Sequence, residues 1–308
     1  MSLKSKIYTI ARHPSIIKDI IQRKSLIEIR SKISQLDLLQ RARTNSRREC
    51  VYVGDYRALT RTIFAHKMYL DTRDNSLTPH LLLDGHWEMW ITKVLLRELR
   101  NGMNVVEIGS NVGYYSLIIS SEIGDIGRLF AFEANPDTYQ ILRDNIEING
   151  FSNRVTLEKK AVTDNVEKIA FQTLTKNPSG SRIVEYSKLN QYTEEQKIIK
   201  VDSTSLDQYF NHKDIKIGLI KMDAEGSEPH IFEGMKNLII NNANITIICE
   251  FNLPLISAAS VDPQKFLEKI QSYGFILKYI DGDSNPKEVS IKKLLQLGVV
   301  DLYLKKNS

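Results

Sequence analysis

The chain has 308 residues, 42% of them hydrophobic, and a net charge of +5, which suits one large domain with an attached segment. No run of about 18 apolar residues occurs, so no membrane-spanning helix is predicted, and Cys50 and Cys249 offer neither a disulfide framework nor a metal-ligand spacing. The charge is uneven: residues 1–48 carry +9 and the remainder −4, so the bulk of the chain is acidic.

In chain order, residues 1–48 are a basic segment. Ile7, Ile10, Ile16, Ile17, Ile20, Ile21, Leu26, Ile27 and Ile33 recur at helical spacing, and Pro14 marks a break between helices. Such an arm suits peripheral contact with an anionic membrane surface or phosphate, although a solvated helical face is the plainer alternative. Its first residues lack the apolar core and cleavage site of a secretory leader, and a cytoplasmic location is expected. Residues 49–100 form a lead-in of short strands, turns and a helix in "HWEMWITKVLLREL". Cys249, in "ITIICEF", is expected to be buried as an apolar residue.

From residue 101 to 308 strands and helices alternate. "NVVEIG" predicts a strand, "GYYSLIISSEI" a helix, "GRLFAFEANP" a strand and residues 136–149 a helix. "RVTLEKKAV" predicts one strand, "IGLIKM" and "NITIICEFN" two more, "DPQKFLEKIQSYG" a helix, and "FILKYID" and "VVDLYLKK" the last two strands. This order argues for a mostly parallel sheet with helices on both faces. An insertion at about 163–210 adds "EKIAFQTL" and "QKIIKVDST" around a long polar loop, a length often associated with function.

The chemistry concentrates at strand ends. In an open α/β sheet, ligands bind outside the carboxyl ends of the strands. The first such end reads Glu107-x-Gly109-Ser110-Asn111-x-Gly113-Tyr114. It lacks the G-x-G turn that seats a pyrophosphate, and it sets a negative charge beside the turn. A pyrophosphate is disfavoured there, whereas the sulfonium and ammonium of S-adenosylmethionine are favoured. Glu133, one strand–helix–strand unit later, is placed to accept both hydrogens of a ribose diol, with Ala134, Ala161 and Val162 at the neighbouring strand ends. Trp87 and Glu88, ahead of the core helix, are candidates to close over the cofactor, although core packing is the plainer role for the tryptophan.

"VVEIGSNVGYYS", "FAFEANP", "TSLDQYF" and "IKMDAEGSEPHIFEGM" together resemble the FkbM-type S-adenosylmethionine-dependent methyltransferases over roughly residues 69–304. The resemblance implies a Rossmann-like class I methyltransferase fold with a seven-stranded sheet whose last strand is inserted antiparallel. It also implies O-methylation, often of a sugar hydroxyl, so a small-molecule or glycan acceptor is expected and no nucleic-acid partner. Residues 1–48 fall outside it.

Asp223, Glu225 and Glu228 follow the "IGLIKM" strand. An alcohol attacks the methyl group only as its proton leaves, so a carboxylate base is expected, Asp223 first and Glu225 second. Asp223 is also a candidate cofactor contact. Glu228 and Glu250 are candidate acceptor contacts, although Glu228, in a first helical turn, can equally complement the helix dipole. Clustered carboxylates also suit Mg²⁺ or Ca²⁺, but no histidine pair or full oxygen cage is visible and no metal site is expected. Two alternatives stand beside the sugar O-methyltransferase. An RNA ribose 2′-O-methyltransferase would use the basic arm on phosphate, against which stands an acidic core without a basic-aromatic stripe. A non-catalytic cofactor-fold scaffold would use residues 1–48 as a partner or membrane-surface helix, against which stand the intact glycine turn and Glu133.

Overall fold

The computed structural model describes residues 49–306 apart from 186, 188–192 and 194. The predicted N-terminal helices therefore lie outside the described residues. The lead-in is an antiparallel meander of β1 (Val51–Gly54), β2 (Arg57–Arg61) and β3 (Lys67–Asp71), followed by α1 (Leu77–Leu83) and α2 (Met89–Glu98). The core then runs β4 (Asn104–Ile108), α3 (Tyr114–Ile123), β5 (Arg128–Phe132), α4 (Pro136–Ile148) and β6 (Val155–Glu158). An arm follows, with β7 (Ala161–Val162), β8 (Lys168–Leu174), β9 (Arg182–Ile183) and β10 (Gln196–Thr204). The chain returns through α5 (Leu206–Tyr209), β11 (Leu219–Met222), α6 (Glu228–Glu233), α7 (Lys236–Asn241) and β12 (Thr246–Asn252). It ends with α8 (Leu253–Ala258), α9 (Pro263–Ser272), β13 (Phe275–Ile280), β14 (Pro286–Glu288), α10 (Ile291–Leu297) and β15 (Val299–Lys306).

The main sheet has the order β14-β13-β15-β12-β11-β4-β5-β6. The contacts among β12, β11, β4, β5 and β6 are parallel, while β15 lies antiparallel between β12 and β13. The antiparallel insertion of the last strand is thus present. The expected strand count needs correction from seven to eight. After β13 the chain turns back at Asp281, whose carboxylate accepts from the Asn285 amide at 2.7 Å, and β14 pairs along the β13 edge. Pro286 opens that edge strand, where a missing N–H is tolerated.

A second correction concerns "RVTLEKKAV". It forms two strands, not one: β6 joins the main sheet and β7 joins the arm, a second sheet of order β7-β10-β8-β9. A bend at Lys159–Lys160 thereby carries the chain from one sheet to the other.

Parallel strands covered on both faces are apolar throughout, and alternate residues enter different cores. Val105, Leu219 and Ile248 pack towards α2, α3 and α4, while Val106, Ile220, Ile247 and Cys249 pack towards α6, α7 and α9. The α3 helix is buried nearly all round, so it has no polar face to give to water. Buried Asn145 on α4 locks the lead-in to the core. Its side chain accepts from the Tyr69 amide at 2.6 Å and donates to the carbonyls of Tyr69 and Val112 at 3.0 and 2.8 Å.

Candidate active site

The turn after β4 is shaped by its neighbours. Gly109 has a φ of +74°, and a Cβ there would lie 1.9 Å from the Asp223 carbonyl oxygen. The end of β11 passes that close because the Asp223 amide donates to the Ile108 carbonyl at 3.0 Å. Glycine at 109 is therefore dictated by the chain's own backbone, before any ligand approaches. The amides of Gly109 and Ser110 both donate to the Phe132 carbonyl, which ties this turn to the end of β5.

Glu133 stands at that end. Its Oε2 accepts from the Asn111 amide at 2.8 Å and its Oε1 from the Asn135 amide at 2.7 Å. Burial raises its pKa to about 7, against the opposing effect of these backbone donors. Asn111 itself sits in the left-handed region, with φ of 49°, which lets its amide point at the carboxylate.

One cavity of about 270 Å³ opens over these strand ends. Gly109, Ser110, Asn111, Tyr114, Glu133 and Ala134 line one part of it, with Ala161 and Val162 from β7. Asp223, Glu225 and Glu250 line another, with Glu88 and Trp87 beside α2. Thirteen sequence-level candidates thus meet in a single space. Three others do not line it. Glu107 is wholly buried behind the turn, where its Oε2 accepts from Ser116 Oγ at 2.5 Å and its Oε1 finds no hydrogen-bond donor among the described residues. Burial raises its pKa to about 7 despite the proximity of Lys221. Gly113 caps α3 with φ of +93° under α4, where a Cβ would lie 2.7 Å from Leu142, so it serves the turn. Glu228 is corrected as an acceptor contact: it is wholly buried, and its Oε1 accepts from the Ala224 amide at 2.8 Å. Its place in the first turn of α6, bracing the loop after β11, follows from the missing intrahelical partners there.

The acids crowd. Burial first, then Asp223 and Glu228, raise Glu225 to about 8. Burial, then Asp223 and Glu225, raise Glu250 to about 9. Glu88 reaches about 7 by burial and the Asp223 charge, and its Oε2 accepts from the Tyr115 hydroxyl at 2.9 Å. Asp301, the cross-strand neighbour of Glu250, is raised to about 6 by burial while it accepts from Trp90 Nε1 at 2.9 Å. Glu88 and Glu225 both hold left-handed backbones, with φ of 36° and 51°.

The cavity also holds residues not singled out from the sequence. Lys221 reaches it from inside β11, and Phe171, Pro178, Ser181 and Ile183 reach it from the arm. Lys221 had a signal: a lysine inside "LIKM" is rare in a buried strand unless paired. The arm residues had none beyond the length of their loop. Among the described residues, no group of three or more His, Cys, Asp or Glu side chains is placed to hold a metal ion, and no helix is long and apolar enough to cross a membrane.

The donor set can be tested against S-adenosylmethionine. Carboxylates predominate along the cavity, and its two lining lysines are each paired, Lys160 with Glu158 at 3.3 Å and Lys221 with Asp223 at 3.3 Å. A cationic ligand with a diol fits this set, and a pyrophosphate does not.

The chain is 26% identical, over 54% of its length and 63% of the relative's, to the hexuronic acid methyltransferase AglP of Haloferax volcanii. A shorter stretch, 19% of the chain and 29% of the relative, is 33% identical to a protein-L-isoaspartate O-methyltransferase of Methanococcoides burtonii. The chain thus spans less than two thirds of the length of either curated relative. Among solved structures, Methyltransferase FkbM from Methylobacillus flagellatus aligns with a TM-score of 0.41 and 13% identity, over 73% of this chain and 52% of that one. Residues 107–277 match the Methyltransferase FkbM domain, and with more than half of its length inside that match the chain belongs to the FkbM methyltransferase family.

Proposed function

We propose that the protein is an S-adenosylmethionine-dependent O-methyltransferase whose acceptor is a hydroxyl of a sugar or glycan-like molecule. The observation that carries this is a single cavity bounded by docked Glu133 on one side and by Asp223, Glu225 and Glu250 on the other. The likeness to a hexuronic acid methyltransferase supports the acceptor class.

Bound S-adenosylmethionine supplies an electrophilic methyl group. The residues that would hold it are those of the Gly109 turn and Glu133. Each Glu133 oxygen already accepts one backbone N–H, and each keeps a lone pair for a ribose hydroxyl. Ala134, Ala161, Val162 and Phe171 supply apolar walls for a base. On the acceptor side, Asp223 takes the hydroxyl proton as the oxygen begins to attack. Glu225 and Glu250, raised to about 8 and 9, keep their protons in the free cavity at neutral pH. A protonated carboxyl both donates and accepts, which matches the hydroxyls of a neutral polyol.

Calorimetry with S-adenosylmethionine, then a mass-shift screen of glycans, polyketides and RNA, tests the proposal. Asp223→Asn is expected to lower turnover by about 10²–10⁴ with little change in cofactor affinity. Failure to bind S-adenosylmethionine would sink the proposal. Methylation confined to RNA would overturn its acceptor class. Near-wild-type turnover in folded Asp223→Asn moves the base to Glu225, and loss of wild-type activity on chelation, restored by Mg²⁺, assigns a metal role instead.

A further inference from the structure

Lys221 has no part in that scheme, yet it occupies an improbable place. All four residues of β11 are buried, and Lys221 is 3% exposed. Burying an ammonium costs several kcal/mol unless it is well paired. Here Nζ lies 3.3 Å from Asp223 Oδ2, and it sits 4.7 Å from the centre of the Tyr115 ring. Glu107 is its register partner on β4. Burial alone would lower the lysine's pKa, but Asp223, Glu107 and Glu88 together raise it above its ordinary value. Lys221 is therefore a fixed cation and no proton acceptor.

The surroundings give that cation a choice to make. The acidic groups facing the pair come from every adjoining element. They are Glu88 ahead of α2, Glu107 on β4, Tyr115 on α3, Glu133 after β5, Glu225 and Glu228 around the turn into α6, Glu250 on β12 and Asp301 on β15. Among the described residues, Asp223 is the one carboxylate within ion-pair distance of the Lys221 ammonium. Both side chains line the cavity.

Resting on the proposed methyl transfer, we infer that Lys221 is a positioning residue: its ammonium aims Asp223 and marks it, out of a crowd of carboxyls, as the proton acceptor. In that step the acceptor's O–H bond breaks as its bond to the methyl carbon forms. The proton passes to Asp223, the electron pair of the broken carbon–sulfur bond stays on sulfur, and Lys221 neither gains nor loses a proton.

Lys221→Met keeps chain length and suits a buried strand, and Lys221→Arg keeps the charge. Lys221→Met should lower kcat about 10²-fold near pH 7, at the low end of general-base effects, with the KM for S-adenosylmethionine within about threefold of wild type. Its acid limb should move to higher pH, because Asp223 is left among other carboxyls alone. Lys221→Arg should return the limb towards wild type. In the unliganded protein, the carbon-13 titration of the Asp223 carboxyl should move to higher pH in Lys221→Met. The double variant with Asp223→Asn should be no slower than Asp223→Asn alone within about threefold, because the lysine acts through that carboxylate. An unmoved Asp223 titration, or a kcat loss with an unshifted pH profile, overturns the inference and leaves Lys221 a packing residue. Retained turnover in Asp223→Asn overturns it too, by removing the proton acceptor. Absence of any methyl transfer by the wild type would instead defeat the proposed function, and the titration would still decide whether Lys221 sets the charge of Asp223.

Discussion

Glu133 shows how one side chain can serve the fold and a ligand together. Its two oxygens clamp the Asn111 and Asn135 amides, which joins the turn after β4 to the entrance of α4. Removing the whole carboxylate would free two backbone donors and disturb the turn. Glu133→Gln is the cleaner probe, since one oxygen remains to accept. It should weaken S-adenosylmethionine binding by about 1.5–3 kcal/mol, the worth of hydrogen bonds to a charged group, with a smaller change in Tm. Calorimetry and thermal unfolding on one preparation check this, and unchanged affinity would remove the ribose assignment.

At the scale of elements, the arm and the main sheet both line the cavity. The arm's β7, β8 and β10 strands form their own small core of Ala161, Phe171 and Val201, and its residues Pro178, Ser181 and Ile183 reach the cavity. The main sheet supplies Gly109, Glu133 and Asp223, so the arm shapes the space without supplying those groups. Replacing residues 176–195 by a short glycine–serine turn between β8 and β10 should preserve cofactor binding. It should lower turnover of the acceptor about 10²-fold, the scale of losses from misplaced substrate. Steady-state kinetics beside calorimetry distinguish this from general unfolding, and full turnover in the shortened protein would show that the arm has no part in the acceptor site.

For the whole molecule, the crowded acids set a pH dependence. Glu88, Glu107, Glu133 and Glu228 stand near 7, Glu225 near 8 and Glu250 near 9, all above the ordinary carboxyl value of 4.5. The folded state therefore holds more protons than the unfolded chain between about pH 5 and pH 9, and stability falls as pH rises through that window. The Tm of the unliganded protein should decline from about pH 5.5 to 8.5, and S-adenosylmethionine should raise it more at the upper end, where its cations meet ionised carboxylates. A flat Tm profile would mean that the cluster carries less proton affinity than its burial implies. Residues 1–48, with their +9 charge, stand apart from all of these groups in sequence. Deleting them should leave cofactor affinity unchanged, since every group assigned to cofactor binding lies beyond them in the chain. Loss of binding in a folded truncated protein would contradict that independence.

The alternation of apolar strands with amphipathic or buried helices, and the acid–glycine turn before "GYYS", were legible in the chain because local periodicity and strand-end chemistry are written in consecutive residues. From them came the parallel sheet and the candidates Gly109, Glu133 and Asp223, while the antiparallel last strand followed only from the family resemblance. What consecutive residues cannot state is who meets whom across the sheet. Gly109 is required because Asp223, more than a hundred residues later, passes against it. The break of "RVTLEKKAV" into two strands, the burial of Glu228 away from the cavity and the choice of Asp223 as the partner of Lys221 are likewise long-range outcomes. Each depends on a distance and a shared loss of water between elements far apart in the chain, and only the packed structure sets those.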